Sequence, residues 1–159
     1  MAYSKGKISI PNVTGNIVIT VTTGQKTRIN KFGKNDTDIS VGSRINSSGA
    51  PVYYADNQLV TGFIPCTKGK VITLETDKAN NINTHTGYIA VYASDKTYLG
   101  HAINNAHIGW VWSDDYKTGV CDSANVSAAV FPENAAYIRL CVAYQADYLT
   151  NDNIKIYIE

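Results

Sequence analysis

Aromatic side chains set among polar ones are the chemically suggestive feature of this sequence. Four stretches carry them: Val52-Tyr53-Tyr54-Ala55-Asp56-Asn57, Gly109-Trp110-Val111-Trp112-Ser113-Asp114-Asp115-Tyr116, Tyr144-Gln145-Ala146-Asp147-Tyr148, and Tyr98 with His101. A flat ring can stack on the apolar C–H face of a sugar, while nearby Asp, Asn, Arg or Gln side chains pair its hydroxyls. The candidate ligand-binding residues are Trp110, Trp112, Asp114, Tyr116, Tyr53, Tyr54, Asp56, Asn57, Tyr98, His101 and Arg139. A structural alternative stands beside each. Trp110 and Trp112 share one face of a strand, so the first alternative is that they are simply core, with a protein interface behind it. Tyr53 and Tyr54 suit a loop or an interface. Arg139, between Ile138 and Leu140, could form a structural pair or lay its stem on tyrosine. Arg44, beside a Ser/Gly-rich stretch, is weighed in the same way.

Catalytic patterns are missing. There is no GxSxG, HExxH, Walker A loop or GxGxxG, and Lys68-Gly69-Lys70 lacks the rest of a phosphate loop. His85, His101 and His107 do not share metal-ligand spacing. Asp114 and Asp115 are adjacent, so on a strand they would point to opposite faces, a poor carboxylate pair. Glu75, Glu133 and Glu159 fall at a strand end, after Pro132 and at the last position, none suggesting a buried acid. Asn35-Asp36-Thr37-Asp38 has the oxygen side chains of a calcium loop but not the following Gly or the distant Glu. No cofactor is expected; a structural calcium is the one ion left open. Cys66, Cys121 and Cys141 form no CxxC and no disulfide framework, and read as small buried side chains. No enzymatic activity is expected.

The elements that must position these residues are β-strands. Tyr occurs 11 times, Asn and Thr 15 times each, Glu only 3 times and Leu 5 times, which favours strands and turns over helices. At 159 residues, 44% hydrophobic and 17% charged, the chain can bury a core as essentially one domain. A net charge of +1 argues against nucleic acid and anionic membranes as partners. No apolar run approaches the length of a membrane helix. The N-terminus, Met1-Ala2-Tyr3-Ser4-Lys5, has no signal-peptide core, so the expectation is cytosolic synthesis or excision from a larger protein.

Residues 7–23 read as two short strands, and residues 24–38 as a linker or long loop. A boundary is placed there: a β arm over 1–38, and the main module over 39–159. Strand signals then fall at Ile39 to Val41, Leu59 to Ile64 (stopped by Pro65), Val71 to Glu75, Tyr88 to Tyr92, Thr97 to Leu99, Ile108 to Trp112, Val126 to Phe131, Tyr137 to Tyr144, and Ile154 to Ile158. Gly42 to Gly49 reads as a Gly/Ser-rich connection. Only Asn134 to Tyr137 and the stretch near Ala102 to Ala106 could hold a helical turn. Short strands spaced by polar turns, with no room for crossover helices, predict an all-β fold: an antiparallel jelly-roll β-sandwich.

Several runs carry a resemblance. Ser43-Arg44-Ile45-Asn46-Ser47-Ser48-Gly49-Ala50, Val60-Thr61-Gly62-Phe63-Ile64-Pro65 and Gly69-Lys70-Val71-Ile72 are three of them. Ile89-Ala90-Val91-Tyr92-Ala93-Ser94-Asp95-Lys96 and Phe131-Pro132-Glu133-Asn134-Ala135-Ala136-Tyr137-Ile138-Arg139-Leu140 are two more. Together they resemble a sandwich module in tail and baseplate proteins of phages of Gram-positive bacteria. Ile10-Pro11-Asn12-Val13-Thr14-Gly15-Asn16-Ile17-Val18-Ile19 resembles the segment that precedes it. The match is a set of spaced motifs over roughly residues 8–158. It implies a galactose-binding-like jelly roll that acts as a non-catalytic carbohydrate-binding module, located in a virion or in a larger extracellular protein. The implied partner is bacterial cell-surface or cell-wall polysaccharide. Most matched motifs are strand and turn signatures, so the aromatic sites rest on their own chemistry. The competing expectation is a structural virion or adhesin module that packs as a homo-oligomer, such as a trimer, or against other virion proteins.

Overall fold

The computed structural model describes residues 2–4, 7–9, 28–33, 35–54, 57–77, 87–104, 109–124, 131–143 and 153–159. Fourteen strands appear among them, every pairing is antiparallel, and no helix occurs among the described residues. Asn134 lies in a turn and Tyr137 in a strand, so no helical turn forms there; of the second expected helical turn, Ala102 and Ile103 lie in a strand, and residues 105–106 lie outside the described residues.

Two sheets enclose the main core. The first runs β10 (Tyr98–Ile103), β9 (Ile89–Tyr92), β13 (Tyr137–Ala143), β6 (Gln58–Val60), β3 (Ser40–Val41), with β7 (Ile64–Pro65) also on β13. The second runs β11 (Val111–Trp112), β12 (Thr118–Asp122), β8 (Val71–Thr76), β14 (Ile154–Ile158). The two-residue side-chain period of a strand decides what faces inward. From the first sheet come Leu59, Ile89, Val91, Ile138, Leu140 and Val142; from the second come Ile72, Leu74, Cys121, Ile154 and Ile156. The expected alternation of the last strand holds: Ile154 and Ile156 are fully buried, while Lys155 and Tyr157 are half-buried.

The outer faces differ. On the first sheet, Val60, Ala90, Tyr92 and Cys141 form a second apolar cluster with Ile45. Its cover is a hairpin of β4 (Ser43–Ile45) and β5 (Pro51–Tyr53), paired Ser43 with Tyr53 and Arg44 with Val52. That hairpin replaces the expected Gly/Ser-rich connection. No apolar alternation announces it, since only Ile45 of β4 enters the cluster. On the second sheet, Val111 pairs Val120, Val120 pairs Thr73, and Thr73 pairs Tyr157, making one cross-strand row. Val111 is 77% exposed, and Arg28 lies 4.0 Å over the Tyr157 ring.

The expected strand from Leu59 to Ile64 divides into β6 and β7. Between them Thr61 bonds β13 through its side chain as well as its backbone: its Oγ1 accepts from Leu140 N at 3.0 Å. Strand β12 was not expected. Glycine and a solvent-facing Val120 hide its pattern. The expected strand over 17–23 and most of that over 126–131 lie outside the described residues. Two more strands, β1 (Ala2–Ser4) and β2 (Lys7–Ser9), pair with each other, and with no other strand among the described residues. The packed body extends N-terminal of the expected boundary at 38. Phe32 is buried in the main core, Lys31 N donates to Ile156 O at 2.7 Å, and Asn30 Oδ1 accepts from Ile156 N at 2.8 Å.

Candidate functional site

Strand β10 carries Tyr98 and His101, three residues apart, which a regular strand would point to opposite faces. The ladder to β9 slips twice. Tyr98 pairs Tyr92, Gly100 pairs Val91, His101 pairs Ala90, and Ile103 pairs Ile89, leaving Leu99 and Ala102 as extra residues. Each such bulge re-aims the side chains that follow. Gly100 supplies the backbone at φ 142°, in a region glycine favours. Tyr98 and His101 therefore share the outer face, where Tyr98 Oη and His101 Nδ1 are hydrogen-bonded. Tyr88 stands edge-on to the imidazole, centroids 6.4 Å apart. Burial pushes the His101 pKa below its ordinary value, so the imidazole is neutral at pH 7.

The hairpin tip closes over these rings. Asn46 Oδ1 accepts from Ser48 N at 2.9 Å, Ser48 Oγ at 2.8 Å and Ala50 N at 3.0 Å, which folds residues 46–50 into a tight turn. Gly49, at φ 80°, lies on Tyr98; a Cβ there would come within 2.3 Å of the ring. Tyr92 Oη donates to Gly49 O at 2.6 Å, and burial pushes its phenol up to about 12, which keeps that proton in place. Between tip and sheet edge a groove of about 460 Å³ remains, lined by Arg44, Ile45, Asn46, Ser47, Tyr88, His101 and Asn104. The Arg44 guanidinium is 4.8 Å over the Tyr54 ring. Rings, amides, a hydroxyl and a guanidinium thus meet in one concave place.

The eleven expected site residues divide. Tyr98 and His101 come together at the groove, with Tyr54 behind Arg44. Tyr53 is 74% exposed on the hairpin, and Asn57 is exposed; Asp56 lies outside the described residues, as does the stretch from Tyr144 to Tyr148. Trp110 and Trp112 stack at 5.3 Å and 24° on the core side of the second sheet. Trp110 is 6% exposed, and its Nε1 donates to Gly87 O at 2.8 Å. Gly119 makes room for both indoles, since a Cβ there would approach Trp112 to 2.7 Å and Trp110 to 2.9 Å. An inward-facing, stacked Trp110 offers no platform to a ligand.

Asp114 and Tyr116 sit exposed on the β11–β12 turn, Tyr116 at φ 55°. Asp115 holds the turn instead, accepting from Ser113 Oγ at 2.7 Å and Lys117 N at 3.2 Å; these bonds hold its carboxyl below the usual range. A polar depression of about 390 Å³ beside the turn is lined by acids and lysines together. Arg139 is 5% exposed. Its Nε donates to Thr61 O at 2.8 Å, its Nη2 donates to Asp38 O, and its guanidinium lies 4.9 Å from the Phe63 ring. It ties three segments of the first sheet and does not reach the groove.

Sequence reasoning passed over Tyr88, Asn46 and Asn104. For Asn46 a signal existed: Asn46-Ser47-Ser48-Gly49 is turn chemistry that would aim an amide. Tyr88 and Asn104 become neighbours only through the fold. The three thiols are buried, and burial pushes each up to about 12, outside the range of a nucleophile. The chain matches no known protein family, no curated protein and no solved structure.

Proposed function

We propose that this chain is a non-catalytic carbohydrate-binding module, and that its sugar lies in the groove between the β4–β5 tip and the edge of the first sheet. One observation carries the reading. Tyr88 and His101, the imidazole held by Tyr98, meet Arg44, Asn46, Ser47 and Asn104 across about 460 Å³. That volume falls in the range of small-ligand sites, and the mixture of rigid rings and hydrogen-bonding groups suits a polyhydroxylated ring. Binding is weak per site, because each sugar hydroxyl exchanges a bond to water for a bond to protein at small net gain. Repeated copies in an assembly would raise avidity. The motif resemblance supports placing the module in a phage tail or baseplate protein that meets bacterial surface polysaccharide.

Titration of labelled protein with a panel of neutral and acidic monosaccharides tests this. Millimolar binding should shift the amides of Asn46, Tyr88 and His101, and Tyr88→Ala should remove it. A folded protein that shows no shift with any sugar overturns the proposal.

A second reading has its own support. The exposed Val111 and Val120 on the outer face of the second sheet suit packing against another subunit. Sedimentation of the wild type and of Val111→Lys separates the two: a trimer that dissociates in the variant favours structural assembly.

A further inference from the structure

We infer that the saccharide bound in this groove carries an anionic substituent, a ring carboxylate or phosphate, met by Arg44 and the amide of Asn46. The inference rests on the carbohydrate reading and narrows it. The lining holds a permanent cation, a neutral imidazole, a tyrosine, two amides and a hydroxyl, and no described carboxylate. The other depression has Glu75, Asp77 and Asp115 against Lys117 and Lys155, so of these two only the groove has a lining of one sign among its described residues.

Asn46 sharpens the point. Its Oδ1 already accepts three hydrogen bonds within the turn, two of them from the backbone N–H groups of Ser48 and Ala50. Backbone N–H groups only donate, so they fix which end of the amide is oxygen. The end not engaged in the turn is Nδ2, a donor. Arg44 is likewise donor-only, and the Tyr54 ring steadies it. A donor-rich basic groove is the complement of an oxyanion. Charge-assisted hydrogen bonds are roughly twice as strong as neutral ones, which corresponds to about a tenfold preference for the charged ligand.

The test titrates wild type, Arg44→Gln and Asn46→Asp with glucose, glucuronic acid, glucose 6-phosphate and inorganic phosphate. Asn46→Asp is the informative variant. Its carboxylate keeps an oxygen for the turn and replaces the Nδ2 donor with negative charge. Binding of either acidic sugar about tenfold tighter than glucose, weakened in about 1 M salt and abolished in Asn46→Asp while glucose still binds, is the expected result. Which acid gains more tells carboxylate from phosphate. Should Arg44→Gln fail to fold, the salt dependence and Asn46→Asp still decide. Equal affinity for glucose and its acids overturns the inference but leaves the carbohydrate reading standing. So does an acid preference that survives both substitutions. Inorganic phosphate binding as tightly as the sugar phosphate, or no binding by any sugar, overturns both.

Discussion

Two aromatic groups sit on two edge strands, and they meet opposite fates. Trp112 lies in β11 and Trp110 just before it, at the edge of the second sheet; Tyr98 and His101 ride β10, the edge of the first. The indoles face inward and stack, with glycine beneath them. The phenol and imidazole face outward, and a hairpin covers them only in part. Chemically the indole stretch is the better sugar platform. Strand parity overrides that, because the sheet face on which a ring lands decides whether it meets core or solvent.

Substitutions can break this comparison. The largest effect belongs to Trp110→Ala, which empties a core position and strands Gly87 O; unfolding by denaturant should show a loss of about 3–5 kcal/mol. Sugar binding in the fraction still folded should be unchanged. If Trp110→Ala is instead mild and abolishes binding, the indoles are the platform after all.

Gly119→Ala and Gly49→Ala form a matched pair. Each drives a Cβ into a ring, and each should cost about 1–3 kcal/mol by thermal or chemical unfolding. Only Gly49→Ala, with its added strain at φ 80°, should also alter binding, because it lifts the hairpin tip. Tyr92→Phe is gentler. It removes the bond to Gly49 O, with an expected loss of about 1 kcal/mol and weaker sugar binding without a change of fold.

The smallest effect is a pH dependence. Burial disfavours protonated His101, so its folded pKa lies below the 6.5 of the unfolded chain. Between those two values the unfolded state holds more protons, and stability therefore falls as pH drops through about 6.5. His101→Gln should flatten that part of the stability profile. Further loss below about pH 4, where the lowered carboxyls of Asp95 and Asp115 take protons, should remain. An unchanged slope near 6.5 would show that His101 is not desolvated.

Much of the scaffold was legible. Ile154, Ile156 and Ile158 alternate with Lys155 and Tyr157, and Ile89 and Val91 separate cleanly from Tyr88 and Tyr92. Such runs report a sheet with one face inward. The groove was far less so. The bulge at Leu99 puts Tyr98 and His101 on one face, and a bulge has no period to read. The β4–β5 hairpin hides behind Ser43, Arg44 and Pro51, none of which marks a strand. Trp110 and Trp112 were read correctly as sharing a face, but sequence does not say whether that face looks in or out. Arg139 looks ligand-like in any strand; only the carbonyls of Thr61 and Asp38 show what holds it.

The bonds that Thr61 makes to β13 bear on the order of assembly. Arg139 and Leu140 bond a residue 78 and 79 positions earlier, so the middle of the first sheet joins strands that synthesis delivers far apart in time. Half the sequence must be held as an open loop before that seam zips, an entropic toll levied ahead of any reward. Refolding should accordingly run in milliseconds to seconds, the pace of β-sandwiches. Until the seam forms, β6 has among the described strands only its short partner β3, and its other edge is open to pairing with the wrong chain.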